Sequence, residues 1–150
     1  MYTTRPAVAD DAQTIARFNQ AMALETEGKT LDPETLSRGV KRLFDEPEHG
    51  QYLVAQSDDG EVVACLMITY EWSDWRDAQV WWIQSVYVHP DHRRKGVFKQ
   101  LYQAVRELGK AAGVCGYRLY VERDNDRAQQ TYRDLGMSRA DYLMYEAMER

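Results

Sequence analysis

Apolar residues recur at every third or fourth position in four stretches of the chain, the spacing that lines one face of an amphipathic helix. These stretches predict helices over residues 10–22, 32–44, 96–113 and 125–135. Asp32 followed by Pro33 predicts the start of the second helix, because aspartate caps a first turn and proline fits the first helical position. Asn125 is the predicted cap of the fourth helix, and Gly136 lies past its end.

Runs rich in β-branched and aromatic residues predict six strands. They cover residues 2–5, 52–55, 62–70, 80–88, 117–121 and 142–148. The turn at 58–60 joins the second and third strands as a hairpin, and a polar, aromatic insert at 71–77 separates the third from the fourth. The order of elements predicts an α/β (α+β) architecture around a mixed sheet. No linker, repeat or low-complexity tract interrupts residues 1–150, which predicts a single domain.

Charge and cysteine content narrow the range of partners and cellular compartments that the chain suits. The 150 residues carry 24 acidic and 19 basic side chains, a net charge of −5. This sign disfavours nucleic acid and anionic membranes as partners and suits a cationic substrate. Cys65 and Cys115 have apolar neighbours, so we expect reduced thiols in or near a core and a cytoplasmic location. No stretch has the composition of a membrane span or of a signal peptide.

Metal and covalent chemistry are not expected from the residue spacing. The histidines, at positions 49, 89 and 92, lie apart in sequence from both cysteines, which predicts no metal site. Neither cysteine has the polar neighbours that lower a thiol pKa, so we do not expect a cysteine nucleophile.

The most informative stretch runs from residue 85 to residue 99. A predicted strand leads into the basic turn Arg93-Arg94-Lys95-Gly96, which opens a long helix. Free N–H groups and the positive end of the helix dipole favour an anion at such a place. The alternative is a solvated, basic helix start. The turn lacks the glycine spacing of a Walker loop or of a dinucleotide fingerprint.

Residues 93–98 resemble motif A of the GNAT superfamily of acyl-CoA-dependent N-acetyltransferases, Arg/Gln-x-x-Gly-x-Gly/Ala, with Phe98 where glycine or alanine is usual. Residues 125–137 resemble motif B of the same superfamily, Asn-x-x-Ala-x-x-x-Tyr-x-x-x-Gly-Phe/Met. The resemblance implies a single GNAT-like domain over residues 1–150, with a mixed central sheet, splayed central strands and about four flanking helices. It also implies a homodimer.

The resemblance implies that acetyl-CoA lies where the fourth strand splays from the fifth, its pantetheine arm against the backbone of the fourth strand. Backbone amides of the basic turn would cradle the pyrophosphate, with Arg93, Arg94, Lys95 or Lys99 meeting phosphate oxygens. The implied cofactor-binding residues are Val86, Tyr87, Val88, Arg93, Arg94, Lys95, Gly96, Val97, Phe98, Asn125 and Tyr132.

Acetyl transfer to an amine needs a proton donor for the departing thiolate and a route for the proton that the amine loses. Tyr132 is the candidate donor, because a phenol is protonated at neutral pH; without the motif it would be read as a packed helix tyrosine. Glu71 is the candidate base, with water as an alternative acceptor of the proton. An exposed acid at the end of a strand is the other interpretation of Glu71.

The acceptor side is less clearly marked. Candidate substrate-binding residues are Glu25, Glu27, Trp72, Gln84 and Ser85. Together with the resemblance, they lead us to expect a primary amine on a small or flexible, cationic acceptor, either a small molecule or a peptide. Because no cysteine nucleophile is expected, the amine should attack acetyl-CoA directly in a ternary complex. A non-catalytic acyl-CoA-binding or regulatory module is the main alternative, and an interaction domain built on the tryptophans is another.

Overall fold

The computed structural model describes the whole chain, residues 1–150, as two compact units, Met1–Leu119 and Tyr120–Arg150. The first unit contains a five-stranded sheet and three α-helices, and the second contains one α-helix. In chain order the elements are β1 Thr3–Pro6, α1 Ala12–Glu27, α2 Pro33–Asp45, β2 Gln51–Gln56, β3 Val62–Ser73, β4 Ala78–Val88, α3 Val97–Ala112, β5 Gly116–Arg118 and α4 Asp126–Asp134.

Local chemistry sets the helix ends. The Asp32 carboxylate accepts a hydrogen bond from the Thr35 amide at 2.9 Å, which confirms the predicted cap of α2. The Asn125 side chain accepts one from the Ala128 amide at 3.1 Å, which confirms the cap of α4. None of the helices combines the length and hydropathy needed to cross a membrane.

The sheet order is β1-β2-β3-β4-β5, antiparallel through β4 and parallel between β4 and β5. The first three residues of the predicted insert at 71–77 belong to β3, because Glu71 pairs with Val80 and Ser73 with Ala78. Aromatic side chains favour an extended chain, so the ladder runs into the insert as far as residue 73. Residues 74–77 form the turn, where Asp77 has a φ of 50°.

The sheet is buried on both faces. On one face, Ile15 of α1 and Val40 of α2 belong to a buried cluster with Val54, Cys65 and Tyr87 of the strands. Residues that alternate with these along the strands face the opposite side. These are fully buried too, and α3 packs against the strands with its own buried side chains. The sheet therefore forms the middle of three layers.

A bulge and a short neighbouring strand open the sheet beside β4. Cys65 pairs with Tyr87 and Met67 pairs with Gln84, so a single β3 residue faces two β4 residues, Ser85 and Val86. Ser85 has a φ of 51°, a conformation rare for a residue with a side chain. β5 pairs only with Val80–Trp82 and ends at Arg118, so residues 83–88 have no partner in β5. This confirms the predicted splay.

Three predictions about the chain were wrong in detail. Residues 142–148 form no strand, although their pattern is strand-like; Tyr142 and Tyr145 are more than 80% exposed. A pattern of side chains makes a strand only where a neighbouring backbone completes the ladder. The fifth strand stops at residue 118 instead of 121. Cys65 is buried as expected, whereas Cys115 is exposed, and both thiols are free.

Candidate functional site

The basic turn before α3 presents backbone N–H groups and cations together. Arg94 and Gly96 have φ values of 62° and 79°, so the chain turns through two left-handed residues before the helix starts. Gly96 precedes the first residue of α3 and has no side chain to cap it, so the first-turn amides of this 16-residue helix have no capping side chain. Arg94, Lys95 and Lys99 are exposed around them. This arrangement can hold a phosphate group.

Phe98, which stands where the motif usually has glycine or alanine, leaves the space beside Gly96 open. Its ring stacks on Tyr102, one turn along α3, with ring centroids 6.3 Å apart and planes 22° apart. A Cβ atom built on Gly96 would meet no atom within 4 Å. The aromatic side chain therefore lies along the helix, and the space beside Gly96 is free.

The open edge of β4 carries polar backbone groups. The His89 amide donates to Val63 of β3 at 2.8 Å. Because successive residues of a strand alternate in direction, the backbone groups of Val86 and Val88 point away from β3, toward the gap beyond β5. The Val88 carbonyl accepts a hydrogen bond from the Arg93 side chain at 2.8 Å. The Val86 groups can accept an extended ligand as an added strand.

Three predicted residues from two separate predicted sites meet in one cluster. Arg93 Nη2 donates to Glu25 Oε2 at 2.8 Å, and the Tyr87 hydroxyl donates to Glu25 Oε1 at 3.3 Å. The Arg93 guanidinium also lies 5.4 Å from the centroid of the Tyr87 ring. Burial, together with the negative charge of Glu25, raises the pKa of Tyr87, which stays a donor. Arg93 and Glu25 therefore satisfy each other.

A row of polar side chains lies on the face of the sheet that α1 and α2 cover elsewhere. Thr69 and Glu71 lie on the same face of β3 as Cys65, because every second side chain of a strand points to the same side. Gln84 donates to the Thr69 hydroxyl at 2.7 Å. Glu71 accepts from the Trp82 indole at 2.7 Å and from Arg118 at 2.8 Å. The hydrogen bond from Trp82, together with that from Arg118 and its positive charge, lowers the pKa of Glu71, so its carboxylate is a weaker base than a free one.

The remaining acceptor-side predictions are scattered. Trp72 is 62% exposed and alternates with Glu71, so it faces the other side of the sheet. Glu27 ends α1, with its carboxylate 3.6 Å from the Lys29 ammonium. Ser85 stands at the bulge of β4, next to Gln84. The structure therefore places Gln84 on the same face of the sheet as Glu71 and Trp72 on the other, while Ser85 marks the bulge.

The second unit carries the two motif B residues singled out from the sequence. Asn125 uses its side-chain oxygen to cap α4. Tyr132 lies in the middle of α4 and is half-buried. Burial raises the pKa of its phenol, so Tyr132 is protonated at neutral pH.

Sequence reasoning missed Arg118 and Thr69, which hold the predicted site residues Glu71 and Gln84 in place. Arg118 is 47 positions from Glu71 in the chain, and only the parallel pairing of β5 with β4 brings the two together. Such a partner leaves no local signal in one sequence. No group of three or more histidine, cysteine, aspartate or glutamate side chains is arranged to hold a metal ion.

The sequence and the fold both match known proteins. Residues 17–137 match the acetyltransferase (GNAT) family. The chain is 29% identical to a mycothiol acetyltransferase of Corynebacterium aurimucosum over 87% of its length but spans only 44% of that relative. It is 28% identical to an aminoglycoside N(6')-acetyltransferase type 1 of Acinetobacter genomosp. 13, over 71% of this chain and 74% of the other. A possible acetyltransferase from Clostridium difficile 630 superposes with a TM-score of 0.89, at 46% identity over 99% and 97% of the two chains.

Proposed function

This chain belongs to the acetyltransferase (GNAT) family and is an acyltransferase, and from that premise we propose that it transfers an acetyl group from acetyl-CoA to a primary amine. The observation that carries the proposal is the turn before α3, where left-handed Arg94 and Gly96 leave first-turn amides and three cations open to one anionic group. The open edge of β4 beside it supplies the second half of a cofactor site.

The cofactor follows from the chemistry of these groups. The pyrophosphate accepts hydrogen bonds from the amides around Gly96, and Arg94, Lys95 and Lys99 neutralise its charge. The pantetheine arm contains amide groups, which pair with the backbone of Val86 as an added strand would. The space beside Gly96, free within 4 Å of a built Cβ atom, supports this assignment.

The reaction itself is a direct transfer in a ternary complex. The neutral amine attacks the thioester carbonyl, so a C–N bond forms while the C–S bond breaks. The amine loses one proton, and the departing thiolate gains one. Tyr132 is the proposed donor of the second proton, and its raised pKa keeps that proton available at neutral pH. A backbone N–H at the β4 bulge is the proposed donor to the carbonyl oxygen.

Glu71 is the proposed residue for the incoming amine. Its pKa is lowered, which favours a carboxylate that attracts the cationic acceptor, and water remains the alternative acceptor of the amine proton. If Glu71 acts by attraction, Glu71→Gln raises the KM for cationic amines and leaves kcat and its pH profile nearly unchanged. If Glu71 is the base, the same variant lowers kcat and shifts the pH profile.

The acceptor class is a small or flexible cationic amine, because the polar row on the sheet carries Glu71 and Gln84 beside the bulge. One relative is named an aminoglycoside N(6')-acetyltransferase, and aminoglycosides are cationic amines. A homodimer in the cytoplasm, with residues 1–150 as one folding domain, completes the proposal; sedimentation tests the dimer.

A thiol-release assay tests the proposal. Purified protein is incubated with acetyl-CoA and a panel of amino acids, polyamines, aminoglycosides and peptides, and free CoA is measured. We expect amine-dependent release with at least one cationic acceptor. Acetyl-CoA that raises Tm without any turnover would instead support a non-catalytic acyl-CoA-binding module. No Tm shift and no turnover would refute acetyl-CoA as the donor.

Tyr132→Phe tests the proton donor. Loss of a general acid typically slows the reaction about 100-fold or more, so kcat should fall while the Kd for acetyl-CoA changes little. Tyr145→Phe, which removes a hydroxyl from an 89% exposed tyrosine of the same unit, is the matched control. Equal rates for the two variants would remove Tyr132 from the mechanism.

A further inference from the structure

The cluster of Glu25, Tyr87 and Arg93 joins two segments that are distant in the sequence. Glu25 lies in the last turn of α1, and Arg93 begins the basic turn, 68 positions later. Both side chains are about 40% exposed, so neither is forced into the pair by burial. The pair is nevertheless held at four points: two hydrogen bonds to Glu25, one to the Val88 carbonyl, and the guanidinium over the Tyr87 ring.

The geometry of Arg93 explains why the turn keeps its shape. Its Nε donates back to the Val88 carbonyl, and its Nη2 donates to Glu25, so the guanidinium joins the end of β4 to α1. Tyr87, which is 7% exposed, is anchored in the core under the guanidinium. The next residue, Arg94, adopts a left-handed conformation that costs free energy for a residue with a side chain. Because its contacts fix Arg93 directly before Arg94, they offset part of that cost.

The charges also indicate that Glu25 and Arg93 position the turn. The positive charge of Arg93 is already matched by Glu25, whereas Arg94 and Lys95 are exposed beside the open amides. A carboxylate close to an anion-binding turn lowers the positive potential there, which by itself weakens the binding of a phosphate. The contacts therefore favour a role in positioning rather than in attraction.

We infer that Glu25 is a positioning residue for the cofactor-binding turn, and that it acts by bracing Arg93 against Tyr87 and the Val88 carbonyl. The inference rests on the proposed function for its link to CoA. It assigns Glu25 to the cofactor side of the protein, instead of to the acceptor, and takes Arg93 out of direct phosphate contact.

The affinity of charge-removing variants for CoA tests whether Glu25 positions Arg93, a contact that we call the brace. We expect Glu25→Gln to raise the Kd for CoA about 2- to 5-fold, the range typical of losing one partly exposed ion pair. Arg93→Gln should raise it to a similar extent, and the double variant should be no worse than either single one, since all three break the same contact. Arg93→Lys should behave like Arg93→Gln, because one ammonium cannot replace the guanidinium fork. Glu107→Gln, an exposed carboxylate removed from α3, is the charge control.

Whether Glu25→Gln raises or lowers the Kd for CoA decides between a positioning role and an electrostatic role for Glu25. If Glu25 acted only through its charge, Glu25→Gln would bind CoA more tightly, and that result, or an unchanged Kd, would overturn the inference. A loss for Arg93→Gln much larger than for Glu25→Gln would also overturn it, because it would show a direct phosphate contact.

Hydrogen exchange in the free protein provides a readout that needs no cofactor. Glu25→Gln should speed exchange of the amides in the turn 94–97 while Tm stays close to that of the Glu107→Gln control. If exchange speeds up but the wild-type protein does not bind CoA, the brace stands and the proposed function falls. If exchange in the turn is unchanged, the brace is refuted even where CoA binds.

Discussion

Replacing Gly96 by alanine should impair the proposed cofactor site far more than it destabilises the fold. Gly96 has a φ of 79°, so a side chain there costs about 1–2 kcal/mol of backbone strain. A Cβ atom would meet nothing within 4 Å in the free protein, so no steric cost adds to this value. The added methyl group instead occupies the space beside the amides that the proposal assigns to the pyrophosphate.

The effect on binding should exceed the effect on folding. Hydrogen bonds to charged groups are worth about 1.5–3 kcal/mol each, so displacing the pyrophosphate from one amide should raise the Kd for CoA about 10- to 100-fold. Gly113→Ala is the matched control: Gly113 follows the other end of α3, with a φ of 75° and the same open surroundings. Calorimetric titration with CoA and thermal unfolding measure the two quantities. Equal CoA affinity for the two variants would refute the assignment of the phosphate to this turn.

Three predictions concern stability. The hydrogen bonds from Arg5, with a backbone bond from Val8, lower the pKa of Asp11, so the ionised carboxylate stabilises the fold above the ordinary aspartate pKa of about 4, and this contribution is lost as the pH falls below it. Asp11→Asn should flatten the acid side of a Tm-against-pH curve; an unaltered slope would contradict this. Gly50→Ala should cost about 2–4 kcal/mol in a denaturant titration, because its Cβ atom would clash with the backbone oxygen of Ile68 in the buried β3. Gly39→Ala, in an exposed turn of α2, should instead stabilise the protein by about 0.5–1 kcal/mol in the same denaturant titration. A loss of stability would contradict the placement of residue 39 in the interior of a helix.

Local signals in the sequence are sufficient to predict the helices and the basic turn before α3. Asp32 and Asn125 mark helix starts by the chemistry of their own side chains, and both caps are present. Gly96 among basic residues marks the turn before α3, since a left-handed position followed by a helix favours glycine. Each of these features depends on residues within four positions of one another.

Features that depend on distant partners could not be predicted. The bulge at Ser85 carries no glycine, and only the register of β3 against β4 shows it. The pairing of Glu25 with Arg93 spans 68 positions, so its two members were assigned to different sites. Residues 142–148 failed in the opposite direction, because an apolar pattern does not reveal whether a neighbouring strand is present.

The most direct test of acetyl-CoA binding is a titration followed by the backbone amide resonances of the labelled protein. If the cofactor docks as proposed, the amides from Arg94 to Lys99 and that of Val86 shift together and saturate at one Kd. If acetyl-CoA leaves these amides unshifted, or perturbs only residues elsewhere in the chain, the cofactor site is not at the start of α3 and the mechanism built on it is wrong.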